Sequence, residues 1–230
     1  MVKYIDKITS LLNKIKKILI RIKIKQRLKK NKNEKPQKQD LEVYWSENFR
    51  SELNSWGKKD VWPEIKCFTQ FLKGDIVDMC CGTGSTINYL YPNKNLNLFG
   101  FDISDYLIEG SKMFDINHQN LKVADATNTG YEKDQFDYSY SIGSLEHFTE
   151  KGIAQFINET SKITKKISMH QIPIAKDKEF EGWLVLDQSY FNMSEAWWLE
   201  KFKKKYSKVD VIDSLWSDPI SIGKWFILYK

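Results

Sequence analysis

Two hydrophobic rhythms run along this chain. In residues 1–25, Ile5, Ile8, Leu11, Leu12, Ile15, Ile18, Leu19 and Ile22 recur at helical spacing on one face, while Lys3, Lys7, Lys14, Lys17, Arg21 and Lys25 group on the other. This spacing predicts a basic amphipathic helix. Ile18, Ile20, Ile22 and Ile24 also alternate like a strand, but the longer upstream stripe favours helix. Residues 26–40 are polar and charged and contain Pro36, a linker composition, so the globular domain is expected over 41–230. There, short apolar runs alternate with segments of helical period. Strands are predicted at 76–79, 96–102 and 121–125, within 136–148, and at 166–172, 208–213 and 224–229. Helices are predicted at 63–73, from a Ser85 or Thr86 cap through Leu90, from a Thr149 cap to Ile163, and at 195–206 behind Ser194. Pro63 suits the first position of its helix, and Gly74 suits its end. Strands and helices alternating in this way build an α/β fold around a mostly parallel sheet.

The sharpest local signal is the stretch 74–90, GDIVDMCCGTGSTINYL. It reads as a buried strand, a tight turn at Gly82 and Gly84, and a helix start. Bare glycines let a ligand approach the backbone, and free N–H groups at a helix start favour an anion, so a nucleotide-like ligand is expected. A dinucleotide fingerprint would need a third glycine where Ile87 stands, and a P-loop would need Gly-Lys-Ser/Thr. What remains, Asp78-Met79-Cys80-Cys81-Gly82-Thr83-Gly84, resembles the first motif of class I S-adenosylmethionine-dependent methyltransferases. Cys80 stands where that family more often has glycine.

Three further segments follow in the order this resemblance implies. The 96–102 strand ends in Asp102, where a carboxylate can accept hydrogen bonds from both ribose hydroxyls; the alternative is a cap for the helix that Ser104 and Asp105 begin. The 121–125 strand ends in Asp125, followed by Ala126. The resemblance implies that Asp125 accepts from the adenine amino group and that Ala126 offers its N–H; on its own, such an Asp marks only a turn. Segment 136–148 runs from Phe136-Asp137 through a strand to Leu145-Glu146-His147, similar to the family's fourth strand, whose end lines the methyl-donor pocket.

The resemblance implies a Rossmann-like, three-layer sandwich with a mostly parallel seven-stranded sheet and an antiparallel edge strand. It also implies the cofactor S-adenosyl-L-methionine, with no metal required. The cofactor-binding residues it points to are Asp78, Cys80, Gly82, Thr83, Gly84, Asp102, Ile103, Asp125, Ala126, Ser141 and Gly143. In methyltransferases of this kind the segment before the first motif often covers the cofactor; for most of Tyr44, Trp45, Phe49, Trp56 and Trp62, packing on the sheet is the better reading. The aromatic-rich stretch 180–193 either walls the acceptor pocket or is an ordinary packed loop. A hydroxyl acceptor would need its proton removed, and His147 and His170 are the candidate bases, with Glu146 behind them. An unprotonated amine would need none.

Charge and cysteine content narrow the setting. The net charge of +6 conceals +11 in residues 1–40 against −5 in the remainder, so the basicity belongs to the arm. With only Tyr4 available for stacking, a nucleic-acid partner is expected to be unlikely. The arm instead suggests an anionic membrane surface, a partner, or its own domain as the site it rests on. Lysines and arginines interrupt it throughout, so it should not span a bilayer, and it lacks a clean export signal. Cys67, Cys80 and Cys81 are odd in number without a C-x-x-C pair, which fits reduced cytosol and argues against disulfide or zinc frameworks. The acceptor expected on these grounds is a small molecule or a lipid-linked, cell-envelope glycan at the cytoplasmic membrane face. The alternatives are a soluble small-molecule methyltransferase with a partner-binding arm, or a non-catalytic module that binds S-adenosylmethionine.

Overall fold

The computed structural model describes residues 2–31, 36, 38, 39, 41–186 and 188–230; within the first helix, side chains are described at 4, 7–16 and 18–23. That helix, α1, spans Val2–Asn31, six residues past the predicted end, so it takes in the first part of the expected linker; of the remainder, 32–35, 37 and 40 lie outside the described residues. Among the described residues no helix is long and apolar enough to cross a membrane. The second half of α1 rests on the domain, where Ile20 packs with Phe180, Leu184 and Ile220, and Arg21 pairs with Asp177 and covers the Phe180 ring.

The chain then alternates helices and strands. After α2 (Glu47–Leu53) and α3 (Val61–Thr69) come β1 (Gly74–Met79), α4 (Ser85–Leu90), β2 (Leu96–Asp102), α5 (Asp105–Gly110), β3 (Leu121–Val123) and β4 (Phe136–Ile142). They are followed by α6 (Glu150–Ile163), β5 (Thr164–Ala175), a small hairpin of β6 (Gly182–Leu184) and β7 (Tyr190–Asn192), α7 (Glu195–Lys203), β8 (Lys208–Ser217) and β9 (Ser221–Tyr229). Seven strands form one sheet in the order β3-β2-β1-β4-β5-β9-β8; β1 to β5 pair in parallel, and β9 runs antiparallel to both β5 and β8. Strand order reverses between β1 and β4, and sheets of this kind bind ligands at that point, beyond the carboxyl ends of the strands.

Alternation along each strand explains the layering. Val77, Met79 and Phe101 face α6 and α7, where they meet Phe156, Trp198 and Phe202. Ile76, Tyr138 and Tyr140 face the opposite layer, where Ile65, Ile87 and Leu90 pack. Each fully buried large apolar side chain contributes about 1.5–3 kcal/mol over leaving it exposed, and Trp198 and Trp225 are both fully buried. Polar side chains alternate along β8, which leaves a solvated edge carrying Lys208, Asp210 and Asp213.

Two local predictions are corrected. The helix predicted over 63–73 begins at Val61 because Asp60 caps it, accepting from the Val61 N–H at 2.7 Å. Pro63 therefore sits third, where a first-turn N–H has no intrahelical partner anyway, and Gly74, with φ of 116°, opens β1. Neither Ser85 nor Thr86 caps α4: the cap is Gly84, held at φ of 75°.

Candidate active site

The cleft at the switch point is assembled from strand ends below and the segment before β1 above. Its floor comprises Asp78, Cys80, Gly82 and Thr83 after β1, Asp102 and Ile103 after β2, Asp125 and Ala126 after β3, and Gly143 after β4. Nine of the eleven residues predicted to bind the cofactor thus share one cleft. Gly84 and Ser141 do not line it. Gly84 turns the chain behind it towards Ile116 and Leu121, and Ser141 is fully buried against His170.

Cys80 occupies the strained position of the turn. Its φ is 63°, a left-handed conformation that L side chains rarely adopt. This accounts physically for the glycine more common at this place. Asp102 organises the turn: one carboxylate oxygen accepts from the Gly82 N–H at 2.9 Å and the other from the Ser104 N–H at 3.0 Å. The two expected roles of Asp102 thus divide. The cap of α5 is Ser104 itself, and the carboxylate spans the glycine turn and the β2 end. The N–H groups of Gly82 and Gly84 are committed inside the turn, to Asp102 and to the Cys81 carbonyl, so neither is the free donor expected for an anion. Burial pushes the carboxyls of Asp78 and Asp102 upward, at Asp78 with the Asp102 charge adding to the effect. Asp125 is exposed at the cleft rim, with one oxygen accepting from both the N–H and the hydroxyl of Thr127.

The roof is the segment for which sheet packing was the preferred reading. Tyr44, Phe49, Leu53, Trp56 and Trp62 line the cleft instead. Side-chain bonds pin this roof to the floor: Asn54 accepts from Thr83 and Ser85, the Tyr44 carbonyl accepts from Ser104, and Trp45 donates to Asp105. A Cβ on Gly82 would stand 3.0 Å from Leu53, so roof and turn already touch. The 180–193 stretch contributes Gln188, whose amide donates to the Tyr44 hydroxyl at 3.2 Å, and it closes the far side through Leu186 and Tyr190.

A second chamber adjoins the cleft and shares Ile142, Gly143, His147 and Trp56 with it. Gly143 marks the junction with φ of 59°; a Cβ there would press on the Trp56 ring at 3.2 Å. His147 reaches both spaces. Its Nδ1 donates to the Ser189 carbonyl at 2.8 Å, and burial pulls its pKa down to about 4, so the ring is neutral near pH 7. Glu146 is 3% exposed, and burial pushes its carboxyl up to about 8. His170 is corrected as a candidate base. It is 1% exposed, stacks on Phe202, bonds Ser141 at 2.8 Å, and lines neither space.

Residues 76–166, spanning β1 to the start of β5, match the family model of the methyltransferase domain. Residues 76–166 thus carry a methyltransferase domain. S-adenosylmethionine is the cofactor this domain implies, and the residues present fit it: strand-end carboxylates at Asp102 and Asp125, a backbone turn bare of side chains at Gly82, and an aromatic roof. A stretch of 95 residues is 36% identical to the tRNA (carboxymethyluridine(34)-5-O)-methyltransferase of Saccharomyces cerevisiae, covering 39% of this chain and 32% of that protein. The protein of the same name from Arabidopsis thaliana is 34% identical over 107 residues, covering 45% of this chain and 25% of the relative. The matched stretches thus span about a third or less of these relatives' length. Among solved structures, a SAM-dependent methyltransferase from Thermotoga maritima, described as a possible histamine N-methyltransferase, aligns with a TM-score of 0.62 at 15% identity, covering 83% of this chain and all of that one. That likeness speaks to the fold.

The tRNA relatives overturn the expected partners. An acceptor that is a small molecule or lipid-linked glycan, with nucleic acid unlikely, does not accord with two relatives that act on tRNA. Rings for stacking are not confined to Tyr4 of the arm: Trp56, Tyr190 and Trp216 lie in the domain, around the second chamber.

Proposed function

We propose that this protein is a tRNA methyltransferase that transfers a methyl group from S-adenosylmethionine to a carboxylate oxygen of a carboxymethyl-bearing uridine. The observation that carries this reading is the likeness to two tRNA (carboxymethyluridine(34)-5-O)-methyltransferases. When bound, the cofactor supplies a methyl on a sulfonium sulfur, and transfer to a carboxylate forms an O–C bond as the C–S bond breaks, with no proton to remove.

The residues of this chain then have roles that suit such an acceptor. Asp102 and Asp125 accept from the ribose and adenine ends of the cofactor, while the turn 80–84 lies along its amino-acid end. Tyr44, Phe49 and Trp56 exclude water and hold the reacting atoms in line. His147, neutral and fixed through Ser189, serves as a polar wall rather than a base. A general base contributes only where a proton is lost in the reaction, and a carboxylate loses none. Lysines of α1, among them Lys7, Lys14, Lys16 and Lys23, supply cations for the phosphate backbone, and Lys23 lines a groove that shares Phe49, Glu52, Leu186 and Tyr190 with the second chamber.

The test is incubation of labelled S-adenosylmethionine with total tRNA, protein, lipid and glycan fractions. Label that becomes nuclease-sensitive only in the tRNA fraction is the expected result, and label confined to any other fraction contradicts the proposal.

A further inference from the structure

Beneath the second chamber lie two buried polar side chains that the fold leaves unsatisfied. Gln171, on β5 opposite Ile142, is 1% exposed, and among the described residues neither its Nε2 nor its Oε1 has a hydrogen-bond partner. Glu146, in the turn after Gly143, likewise keeps its Oε2 without a partner. Both side chains line the same chamber. An unpaired buried polar group costs about 1–3 kcal/mol, and native folds hold few of them without a reason. Two such groups facing one cavity form an unfilled donor and acceptor set.

The fold also makes room for this amide. A Cβ on Gly223, the β9 neighbour of Pro173, would stand 2.6 Å from Gln171 Nε2. Glycine at 223 therefore lets the amide lie where it does. Flat side chains complete the chamber: Trp56 and Trp216 meet at 6.1 Å between ring centres, and His147 and Tyr190 also at 6.1 Å. Rings around a buried amide make the kind of pocket in which an extruded base is stacked and its Watson–Crick edge is hydrogen-bonded.

We infer that the second chamber is a pocket for an unstacked uracil-type base, with the Gln171 amide pairing with the imide edge and Glu146 offering a further hydrogen bond to the base or its substituent. The inference rests on the proposed tRNA acceptor and adds which residues read it. A primary amide matches an imide edge through two hydrogen bonds, one N–H given to a ring carbonyl and one carbonyl accepting the ring N3–H. Glu146, neutral near pH 7 because burial raises it, can donate an O–H where an ionised carboxylate could only accept. The other titratable groups lining the chamber are His147, which is neutral, Tyr190, Asp218 and Glu52. Gly143 lines both this chamber and the cofactor cleft.

The experiment uses the full chain saturated with S-adenosylhomocysteine, titrated with 5-carboxymethyluridine and its N3-methyl analogue, for wild type and Gln171→Leu. Blocking N3 or removing the amide should each weaken binding roughly tenfold, as expected for lost hydrogen bonds to a buried site. The two losses should not add fully, because both remove the bond between the amide carbonyl and N3–H. Gln171→Leu should melt at or above the wild-type temperature, since it removes two unsatisfied buried groups; a purely structural glutamine would give the reverse. Glu146→Gln should retain nucleoside affinity and Glu146→Leu should lose part of it. Equal affinity of wild type for both nucleosides, additive losses, or no nucleoside binding by wild type would each overturn the pocket. If the pocket binds but no methyl reaches tRNA, the tRNA reading falls and the pocket stands.

Discussion

Cys80 shows how a single residue encodes the geometry of the turn. A non-glycine residue at φ of 63° costs roughly 1–2 kcal/mol, offset in part by the greater chain entropy glycine loses on folding. Cys80→Gly is therefore expected to be neutral or mildly stabilising, by up to about 1 kcal/mol, and to keep cofactor affinity; denaturant melts with calorimetry decide it, and a loss of stability would mean the thiol packs more favourably than its backbone strains. Glu146 makes a pH prediction. Its carboxyl is raised from 4.5 to about 8, so the folded state holds a proton that the unfolded state has released, and stability on its account falls as pH rises through that interval. His147 and His170, lowered to about 4 and about 3, act in the opposite sense, but only below their unfolded value of 6.5. Between about pH 7 and about pH 8 the Glu146 contribution stands apart from theirs. Glu146→Gln should flatten the decline in melting temperature over this range, and identical slopes for both proteins would show that Glu146 is already ionised.

The elements differ in how far the sequence displays them. The 96–102 strand and the Thr149- and Ser194-capped helices were legible because apolar period, caps and turn residues agree there. The start of α3 was not, because a lone Asp60 cap outweighs the usual place of proline. Strand-end acids at Asp102 and Asp125 could be read from their order along the chain. The roof could not: Tyr44, Phe49 and Trp56 have the composition of any packed aromatic cluster, and it is bonds such as those Asn54 accepts from Thr83 and Ser85, and the Tyr44 carbonyl from Ser104, that draw them over the turn. Gln171 left no sequence signal at all, since a polar residue within an apolar strand reads as an interruption until its empty surroundings are seen. Composition gives the arm two readings, because basic charge on an amphipathic helix suits a membrane and an RNA backbone alike. For the RNA reading, replacing Lys7, Lys14, Lys16 and Lys23 with Gln should weaken tRNA binding and lower the slope of log affinity against log salt by up to about three, since each phosphate contact contributes about 0.7–0.9. Cofactor affinity should stay unchanged. An unaltered salt slope would place the RNA elsewhere on the surface.

For the molecule as a whole, the sheet brings two spaces together at Gly143, one floored by strand-end acids and roofed by the 44–62 segment, the other ringed by aromatics over Gln171 and Glu146. A reaction joining a nucleotide cofactor to an extruded base needs this adjacency, with water kept out where the two meet. The chemistry claimed is O-methylation of a carboxylate, which separates it from transfer to a base nitrogen, a ring carbon or a ribose hydroxyl. The direct measurement is nucleoside mass spectrometry of tRNA bearing 5-carboxymethyluridine after incubation with the protein and S-adenosylmethionine, before and after mild alkali. The account predicts a carboxymethyluridine one methyl heavier that alkali returns to the free acid. An alkali-stable methyl nucleoside, or carboxymethyluridine left unchanged by active protein, would contradict it.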